Sequence, residues 1–380
     1  MADFPEQLEV SVIVPARNEE LSLAACLESL VGQPGPSYEI VVVDDHSTDR
    51  TREVAKGFRV NVITAGSLPD GWSGKCNACW DGARVAKGKW LLFTDADTKH
   101  DQASIAQGLL EAKGLDAAML SYSPKQEVHG FAERALMPLI FAELATTYRP
   151  KEVSDPNSPA AAANGQFLLV RRDAYDAVGG HAAVAQAILE DVELAKRVKQ
   201  AGFRLQFRQS DSVSTRMYRT FDQMWEGWTK NLALLFPNPR GLVLRRTVEF
   251  LLLVSSWAGL VIAMDNRDRI GMVVNGALAA TLGVWFFRRI RRAHFDWLSN
   301  VFAISGLPLF VLLLLNSYIS HRRGPVRWKG RLYGTTAAPG PASPGPPKPV
   351  GDSSSVVGPM IADRKHDIRY SSGEHDLPNA

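Results

Sequence analysis

The sequence has few of the residues that build metal clusters or disulfide frameworks. It contains 3 cysteines in 380 residues, namely Cys26, Cys76 and Cys79. Cys76 and Cys79 form one C-x-x-C, and no second pair or His pair lies at zinc-ligand spacing, which argues against a zinc site. The pair falls in a stretch predicted to be helical. We therefore expect two reduced helix cysteines, as in a cytoplasmic protein.

The charges are also nearly balanced, with a formal net charge of +3. No Lys/Arg run interleaved with aromatics occurs in the first 240 residues, so we expect no nucleic-acid partner. Residues 1–10 are polar and slightly acidic, without the basic and apolar regions of a signal peptide. We expect the first domain to stay in the cytoplasm.

Short apolar runs alternate with helical stretches in the first third of the chain. Apolar runs without strict alternation are typical of parallel strands that are covered on both faces. Strand–helix alternation predicts a Rossmann-like α/β domain over residues 1–240, with a mostly parallel sheet and helices on both faces. The predicted strands are residues 10–14, 40–43, 61–64, 90–94, 117–121 and 166–170.

Two predicted helices carry unusual apolar surfaces. Residues 129–148 present one apolar face, disturbed by Pro138, and residues 221–235 carry Trp225 and Trp228. The first of these helices suits either the core or a membrane surface, and the sequence leaves both open.

Residues 241–320 hold three hydrophobic segments, at about 248–264, 270–287 and 297–320. Their length and the arginine pairs around them predict a multi-pass anchor in the cell (inner) membrane. A third crossing would place the basic segment 321–335 outside, against the positive-inside tendency. Because Gly306 and Pro308 interrupt the third segment, it can instead re-enter. Residues 336–380 are rich in Pro, Gly and Ser and are predicted to be disordered.

Acidic and polar side chains follow three predicted strands. Pro15 to Glu19 follow the first strand, Asp44 and Asp45 the second, and Asp95 and Asp97 the strand at 90–94. Each group alone has a structural explanation, such as Asn18 acting as a helix N-cap. Ligands bind at the carboxyl ends of strands in open α/β sheets, however, and carboxylates suit Mg²⁺ or Mn²⁺. We predict that these side chains share one site.

Two further groups carry candidate chemistry. Residues 71–75 resemble a phosphate loop without Walker spacing, yet Lys75 at a helix N-terminus can reach a diphosphate. Glu190 and Asp191 open a later helix, where acids are common on dipole grounds. A carboxylate there can also accept a proton from an acceptor hydroxyl.

Six segments in this order resemble the family 2 glycosyltransferases of the GT-A fold. They read V-S-V-I-V-P-A-R-N-E-E, E-I-V-V-V-D-D-H-S-T-D, G-K-C-N-A…A-K-G-K-W-L-L-F-T-D-A-D, N-G-Q-F-L-L-V-R-R-D-A-Y, I-L-E-D-V-E-L-A and W-E-G-W-T-K-N. The hydrophobic segments and the tail W-K-G-R-L-Y resemble the membrane branch that acts on carotenoid, hopanoid, ceramide or polyprenyl acceptors.

The resemblance implies a role for each matching residue. Asp97 would bind Mg²⁺ or Mn²⁺ together with Asp95, and Asp191 would be the general base with Glu190 beside it. Trp228 and Lys230 lie where many relatives carry Q-x-x-R-W, and would face the acceptor and diphosphate. The donor-binding residues that it implies are Pro15, Glu19, Asp45 and Asp95. Asn18 and Asp44 at strand ends and Lys75 at a helix start are predicted from their positions to bind the donor as well.

The expected reaction is transfer of a single sugar, with inversion, from a nucleotide diphosphate sugar to a lipid or isoprenoid acceptor at the membrane. The resemblance implies a UDP sugar. The departure from Q-x-x-R-W argues against processive polymer synthesis. Two alternatives stay open on the sequence: a nucleotidyltransferase of similar fold, and a non-catalytic membrane scaffold with a transferase-like domain.

Overall fold

The computed structural model describes residues 8–328 and 330–333. Residues 336–380, which are predicted to be disordered, lie outside this range. Most of residues 1–10, where no signal peptide is expected, also lie outside it. The described strands are β1 (Val10–Ala16), β2 (Tyr38–Asp44), β3 (Asn61–Thr64), β4 (Trp90–Phe93), β5 (Thr98–His100), β6 (Met119–Gln126), β7 (Leu168–Arg171), β8 (Leu205–Thr215), β9 (Val326–Trp328) and β10 (Arg331–Tyr333).

Helices connect these strands and extend beyond them. They are α1 (Leu23–Leu30), α2 (Thr51–Lys56), α3 (Gly74–Val85), α4 (Ser104–Gly114), α5 (Gly130–Thr147), α6 (Pro150–Ser154), α7 (Arg172–Ala177), α8 (Glu190–Gln200), α9 (Phe221–Asn231), α10 (Pro239–Asp265), α11 (Arg269–Ile290) and α12 (Trp297–Arg323). The helix predicted at 129–148 corresponds to α5, and the three hydrophobic segments correspond to α10, α11 and α12.

One sheet organises the α/β domain, with the strand order β3-β2-β1-β4-β7-β6-β8-β5. The strands β1 to β4 are mutually parallel, as the apolar runs predict. Successive side chains point to opposite faces, so that Ile13 and Val43 join a core with α3 and α8, whereas Val12 and Val42 join a core with α1 and α4. The predicted sheet with helices on both faces is confirmed.

The other half of the sheet has mixed strand directions. β7 runs antiparallel to β4 and β6, β8 runs parallel to β6, and β5 runs antiparallel to β8. As a result, β7 begins, and β8 ends, at the edge where β1, β2 and β4 end. The sequence did not predict β5 or β8. Most of β8 is polar or partly exposed, and Leu205, Val213 and Thr215 are its buried residues.

A third core joins the α/β domain to the hydrophobic helices. α5 packs along α12, and the two backbones meet where Gly306 lies against the carbonyl group of Ala135. The prediction left α5 either in the core or on a membrane surface. Leu136, Leu139 and Ile140 of α5 are at most 1% exposed and pack in this core, while Phe131 at its start is exposed.

Four buried charged side chains fasten α10 and α11 to α5. Arg246 donates to Glu249 at 2.8 Å and lies 2.8 Å from a carboxylate oxygen of Glu143. Arg289 donates to Glu249 at 2.7 Å. Two cations and two anions balance one another, as burial of charge requires. The start of α10 and the end of α11 therefore lie beside the α/β domain.

Three helices of the described chain are long and apolar enough to cross a membrane, and they differ in how much is covered. The most apolar 18-residue windows of α10 and α11 are 22% and 11% buried, whereas that of α12 is 44% buried. α12 packs against α5 and α9, so it belongs to the α/β domain as much as to the membrane region.

Candidate active site

A cavity of about 520 Å³ opens at the carboxyl edge of the sheet, where β1, β2 and β4 end. Its volume falls within the range of ligand pockets. Seven chain segments line it, from the loops after β1 and β2 to α9 and the β9–β10 hairpin. Its basic lining residues are Arg17, Lys75, Arg216, Arg219, Lys230 and Arg331. Its acidic lining residues are Glu19, Glu20, Asp45, Asp49, Asp95, Asp97 and Glu226. The cavity therefore suits an anionic ligand that binds together with a cation.

Lys75 pairs with two of the predicted groups of acids, the group that follows β4 and the group that opens α8. Its Nζ lies 2.7 Å from Asp95 Oδ1 and 2.9 Å from Glu190 Oε1. Ser73 caps α3 by accepting from the amide of Cys76 at 3.1 Å, which places Lys75 in the first turn of the helix. Burial alone would lower the pKa of Lys75, but the nearby carboxylates outweigh it and raise that pKa, so the ammonium stays charged.

Asp191 lies beside this ion pair at the start of α8. Its carboxylate accepts from the backbone N–H groups of Gly165 at 2.9 Å and Val192 at 2.8 Å. Burial, together with the negative charge of Glu190, raises the pKa of Asp191 to about 6. Burial would also raise the pKa of Glu190, but Lys75 lowers it overall. The two acids thus differ, with Asp191 the better proton acceptor near neutral pH.

Asp45 is buried directly after β2 and binds the β9–β10 hairpin. Arg331 donates to both oxygens of the carboxylate, with Nη2 3.0 Å from Oδ1. Arg17 donates to the backbone carbonyl of Asp45 at 2.7 Å. Both arginines also line the cavity, so the Asp45 carboxylate lies between two cationic side chains on this wall.

The loop after β1 is held by the loop after β2. Asn18 accepts from the amide of Thr48 at 2.9 Å, and the amide of Glu19 donates to Thr51 at 2.7 Å. The interpretation of Asn18 as a helix N-cap is wrong, because α1 begins at Leu23 and follows Ser22. Asn18 adopts the left-handed conformation, with φ at 53°, and its amide group links the two loops.

Asp95 and Asp97 lie in the turn between β4 and β5 and both line the cavity. No group of three or more His, Cys, Asp or Glu side chains with metal-site geometry occurs among the described residues. Two carboxylates fit Mg²⁺ or Mn²⁺, because such ions are commonly held by one or two protein carboxylates and by substrate phosphates.

The structure brings most of the predicted site residues together in the cavity lining, and places the others outside that lining. Pro15, Asn18, Glu19, Asp45, Lys75, Asp95, Asp97 and Lys230 all line the cavity. Glu190 and Asp191 do not line it themselves and lie behind Lys75. Asp44 is buried outside the lining and accepts from the amide of Ser47 at 3.1 Å.

Trp228 also lies outside the cavity lining. It is 3% exposed and packs against Phe141 and Tyr218. The sequence did not predict site roles for Arg216, Tyr218 and Arg219, which follow β8 and reach the cavity because β8 ends at this edge. Nor did it assign roles to Trp328 and Arg331, although their W-K-G-R-L-Y segment stands out as a motif.

Residues 11–179 match the model of glycosyl transferase family 2. The chain is 28% identical over 338 residues to a 4,4'-diaponeurosporenoate glycosyltransferase of Staphylococcus haemolyticus, covering 85% of this chain and 88% of that one. It is 27% identical to the enzyme of the same name from Staphylococcus aureus, with the same coverage. Among solved structures, a mannosyltransferase from Pyrobaculum calidifontis in complex with GDP-Man and Mn²⁺ aligns over 83% of this chain and 87% of that one, with 16% identity and a TM-score of 0.46.

Proposed function

We propose that the chain transfers one sugar from a nucleotide diphosphate sugar to a lipid-like acceptor at the membrane, in keeping with its match to the family 2 glycosyltransferase model and with its glycosyltransferase relatives. The observation that carries the proposal is the position of Lys75 between Asp95 and Glu190. One ammonium connects the carboxylate that follows β4 with the acids that open α8.

The donor is proposed to lie in the cavity with its nucleoside near Asp45 and its diphosphate near Lys75. Asp45 is suited to accept hydrogen bonds from a base N–H or from ribose hydroxyls. Lys75 sits in the first turn of α3, where backbone N–H groups and the helix dipole favour phosphate. UDP is the nucleotide that we expect, by resemblance to the family.

Asp95 and Asp97 would hold a divalent cation against the diphosphate. Such an ion offsets the negative charge of the departing nucleoside diphosphate. Lys75 and Lys230 line the same cavity and add positive charge where this group departs. With several cationic groups preorganised, the leaving group needs no proton from the protein.

Asp191 is proposed to accept the proton of an acceptor hydroxyl as that oxygen attacks the anomeric carbon. One displacement from the face opposite the diphosphate inverts the configuration, and no covalent nucleophile is required. The two backbone N–H groups that bind the Asp191 carboxylate hold it in one orientation. Its raised pKa suits proton acceptance near neutral pH.

The acceptor is proposed to be a long apolar molecule that stays in the bilayer. α10 and α11 are largely uncovered in the structure, which suits contact with lipid. α5 and α12 pack together between these helices and the α/β domain. The names of the staphylococcal relatives specify a carotenoid carboxylate acceptor, and a carotenoid-like lipid fits the same anchoring requirement.

The proposal is tested with membranes that contain the full-length protein. They are incubated with a panel of labelled nucleotide sugars and Mg²⁺ or Mn²⁺, and the lipid extract is analysed. We expect label from one donor class to enter the lipid fraction with release of a nucleoside diphosphate. Release of pyrophosphate would instead indicate nucleotidyl transfer, and unlabelled lipid with every donor would refute the proposal.

The role of Asp191 is tested in the same assay. Asp191→Asn should lower transfer by about 10²–10⁴-fold and leave donor binding intact, because the amide cannot accept the proton. Glu193→Gln on the same helix is the control, since Glu193 is 47% exposed in its side chain and lies outside the site. Undiminished transfer to a hydroxyl acceptor by the Asp191 variant would remove the base from the mechanism. A carboxylate acceptor arrives already ionised, so transfer to it should not depend on Asp191.

A further inference from the structure

The β9–β10 hairpin reaches from the end of α12 into the cavity that the donor is proposed to occupy. Trp328 and Arg331, one from each strand, both line that cavity. The register places Arg331 opposite Trp328 in the hairpin. A segment nearly one hundred residues beyond the α/β domain in sequence thus completes the wall of the site.

The contact between Arg331 and Asp45 has the geometry of a specific pair. Two nitrogens of the guanidinium group face the two oxygens of the carboxylate, which is the two-pronged arrangement that gives Arg–carboxylate pairs their directional strength. The Asp45 side chain is 5% exposed and that of Arg331 is 21% exposed. Water therefore screens the pair less than it screens a surface ion pair.

The guanidinium group also contacts the start of α3. A Cβ atom at Gly74 would collide with Arg331 and would come within 2.5 Å of Asp45 Oδ2. Gly74 directly precedes Lys75, so Arg331 lies between the residue proposed to bind the nucleoside and the residue proposed to face the diphosphate. Only a residue without a side chain leaves room for it there.

The hairpin is fixed to the helix that carries Lys230. His321 near the end of α12 donates to the carbonyl of Lys230 at 2.7 Å, and Ser317 donates to the carbonyl of Thr229 at 2.7 Å. The ammonium of Lys230 lies 5.9 Å from the centre of the Trp328 ring. These contacts hold the end of α12, the hairpin and α9 together beside the cavity.

We infer that Arg331 is a positioning residue of the donor site, which orients the Asp45 carboxylate and closes the cavity over the nucleoside. A carboxylate has about four acceptor positions, so Asp45 can bind Arg331 and still accept hydrogen bonds from a nucleoside. Arg331 remains at Asp45 when the donor is bound. The inference rests on the proposed function, because it assigns Arg331 to the same donor.

The test is the affinity of the full-length protein in detergent for UDP and for GDP, each with Mn²⁺, measured by calorimetry. Arg331→Ala should weaken nucleoside diphosphate binding by roughly tenfold or more, the loss expected for one charge-assisted pair. The donor KM should rise by a similar factor while kcat changes little. The affinity of Arg331→Lys should lie between those of the wild type and Arg331→Ala, because lysine keeps the charge and loses the two-pronged contact.

Arg327→Ala is the matched control, since Arg327 is an exposed arginine of the same hairpin. It should bind the nucleotide as the wild type does. Gly74→Ala tests the same contact from the opposite side and should also weaken binding, because its methyl group displaces the guanidinium. Thermal unfolding of each variant checks that the fold is retained.

Wild-type affinity in Arg331→Ala would overturn the inference and leave the proposed function intact. Tighter nucleotide binding by that variant would also overturn the inference. Arg331 would then occupy the donor site and have to leave before the donor binds. A wild-type protein that binds no nucleoside diphosphate, whether UDP, GDP or another from the donor panel, would refute the proposed function itself, and the two failures are therefore distinguishable.

Discussion

Lys75 determines the electrostatics of the site at the scale of single residues. It faces Asp95 in the cavity and Glu190 behind it, so one positive charge meets two negative charges. Asp191 adds a third carboxylate beside them. The excess of acids near Asp95 and Asp97 suits a bound divalent cation, and the difference in pKa between Glu190 and Asp191 separates their roles.

The raised pKa of Asp191 predicts a pH dependence. The carboxylate must be ionised to accept a proton, so the rate should fall as the pH drops through about 6. Well below that value the loss should approach about tenfold per pH unit. The measurement is kcat/KM for transfer to a hydroxyl acceptor from about pH 5 to about pH 8.

Glu190→Gln provides a check on the assignment. It removes the neighbouring negative charge that helps to raise the pKa of Asp191, so the midpoint of the profile should move to lower pH. A profile that stays flat through pH 6 in the wild type would contradict a base role for Asp191.

At the scale of elements, the contact between α5 and α12 decides how the membrane region meets the α/β domain. Gly306 allows the two helices to touch at the backbone, because a Cβ atom there would collide with the carbonyl of Ala135. Gly306 and Pro308 together predict a break in the third hydrophobic segment. In the structure α12 continues through both as one helix.

Gly306→Ala should therefore destabilise the protein. A backbone carbonyl cannot move aside as a flexible side chain can, so we expect a cost of about 1–3 kcal/mol. The measurement is the unfolding temperature of the full-length protein in detergent.

Gly283→Ala is the matched control, because Gly283 lies in α11 and no atom is within 4 Å of its added Cβ. Alanine is the better helix former, so this variant should be unchanged or slightly more stable. Equal unfolding temperatures for the two variants would show that the α5–α12 contact is looser than described.

At the scale of the whole molecule, the contacts of α12 bear on the topology. Its start pairs with α5, where Arg134 donates to Ser299 at 3.3 Å, and its end pairs with α9 through Ser317 and His321. A helix of 27 residues spans about 40 Å, long enough for a bilayer core of about 30 Å, yet both of its ends contact the α/β domain. We therefore expect α10 and α11 to cross the membrane. We expect α12 to begin and end on the cytoplasmic side.

Cysteine labelling in intact cells tests this topology. Cys26, Cys76 and Cys79 are buried, so a single introduced cysteine reports its own position. Arg327→Cys in the hairpin should resist a membrane-impermeant maleimide until the cells are permeabilised. Asn266→Cys, between α10 and α11, should react from outside, and external labelling at residue 327 would refute the arrangement.

Local patterns were sufficient for much of the fold and for part of the site. The parallel strands, α5 and the three long helices follow from apolar runs, because such segments must be buried in protein or lipid wherever they pack. Asp45, Asp95 and Lys75 were predicted from their positions at strand ends and a helix start. β8 was not, because its polar sequence is held mainly by pairing with β6 and β5.

Read alone, the sequence determined that parallel strands carry acids at one edge and that apolar helices follow them, since both depend on local periodicity. Tertiary structure decided which distant groups share the cavity. Asp45 meets Arg331 because the contacts of α12 with α5 and α9 carry the hairpin back to the sheet. Pairing across 286 residues depends on the packing of every element between them, which no local pattern encodes.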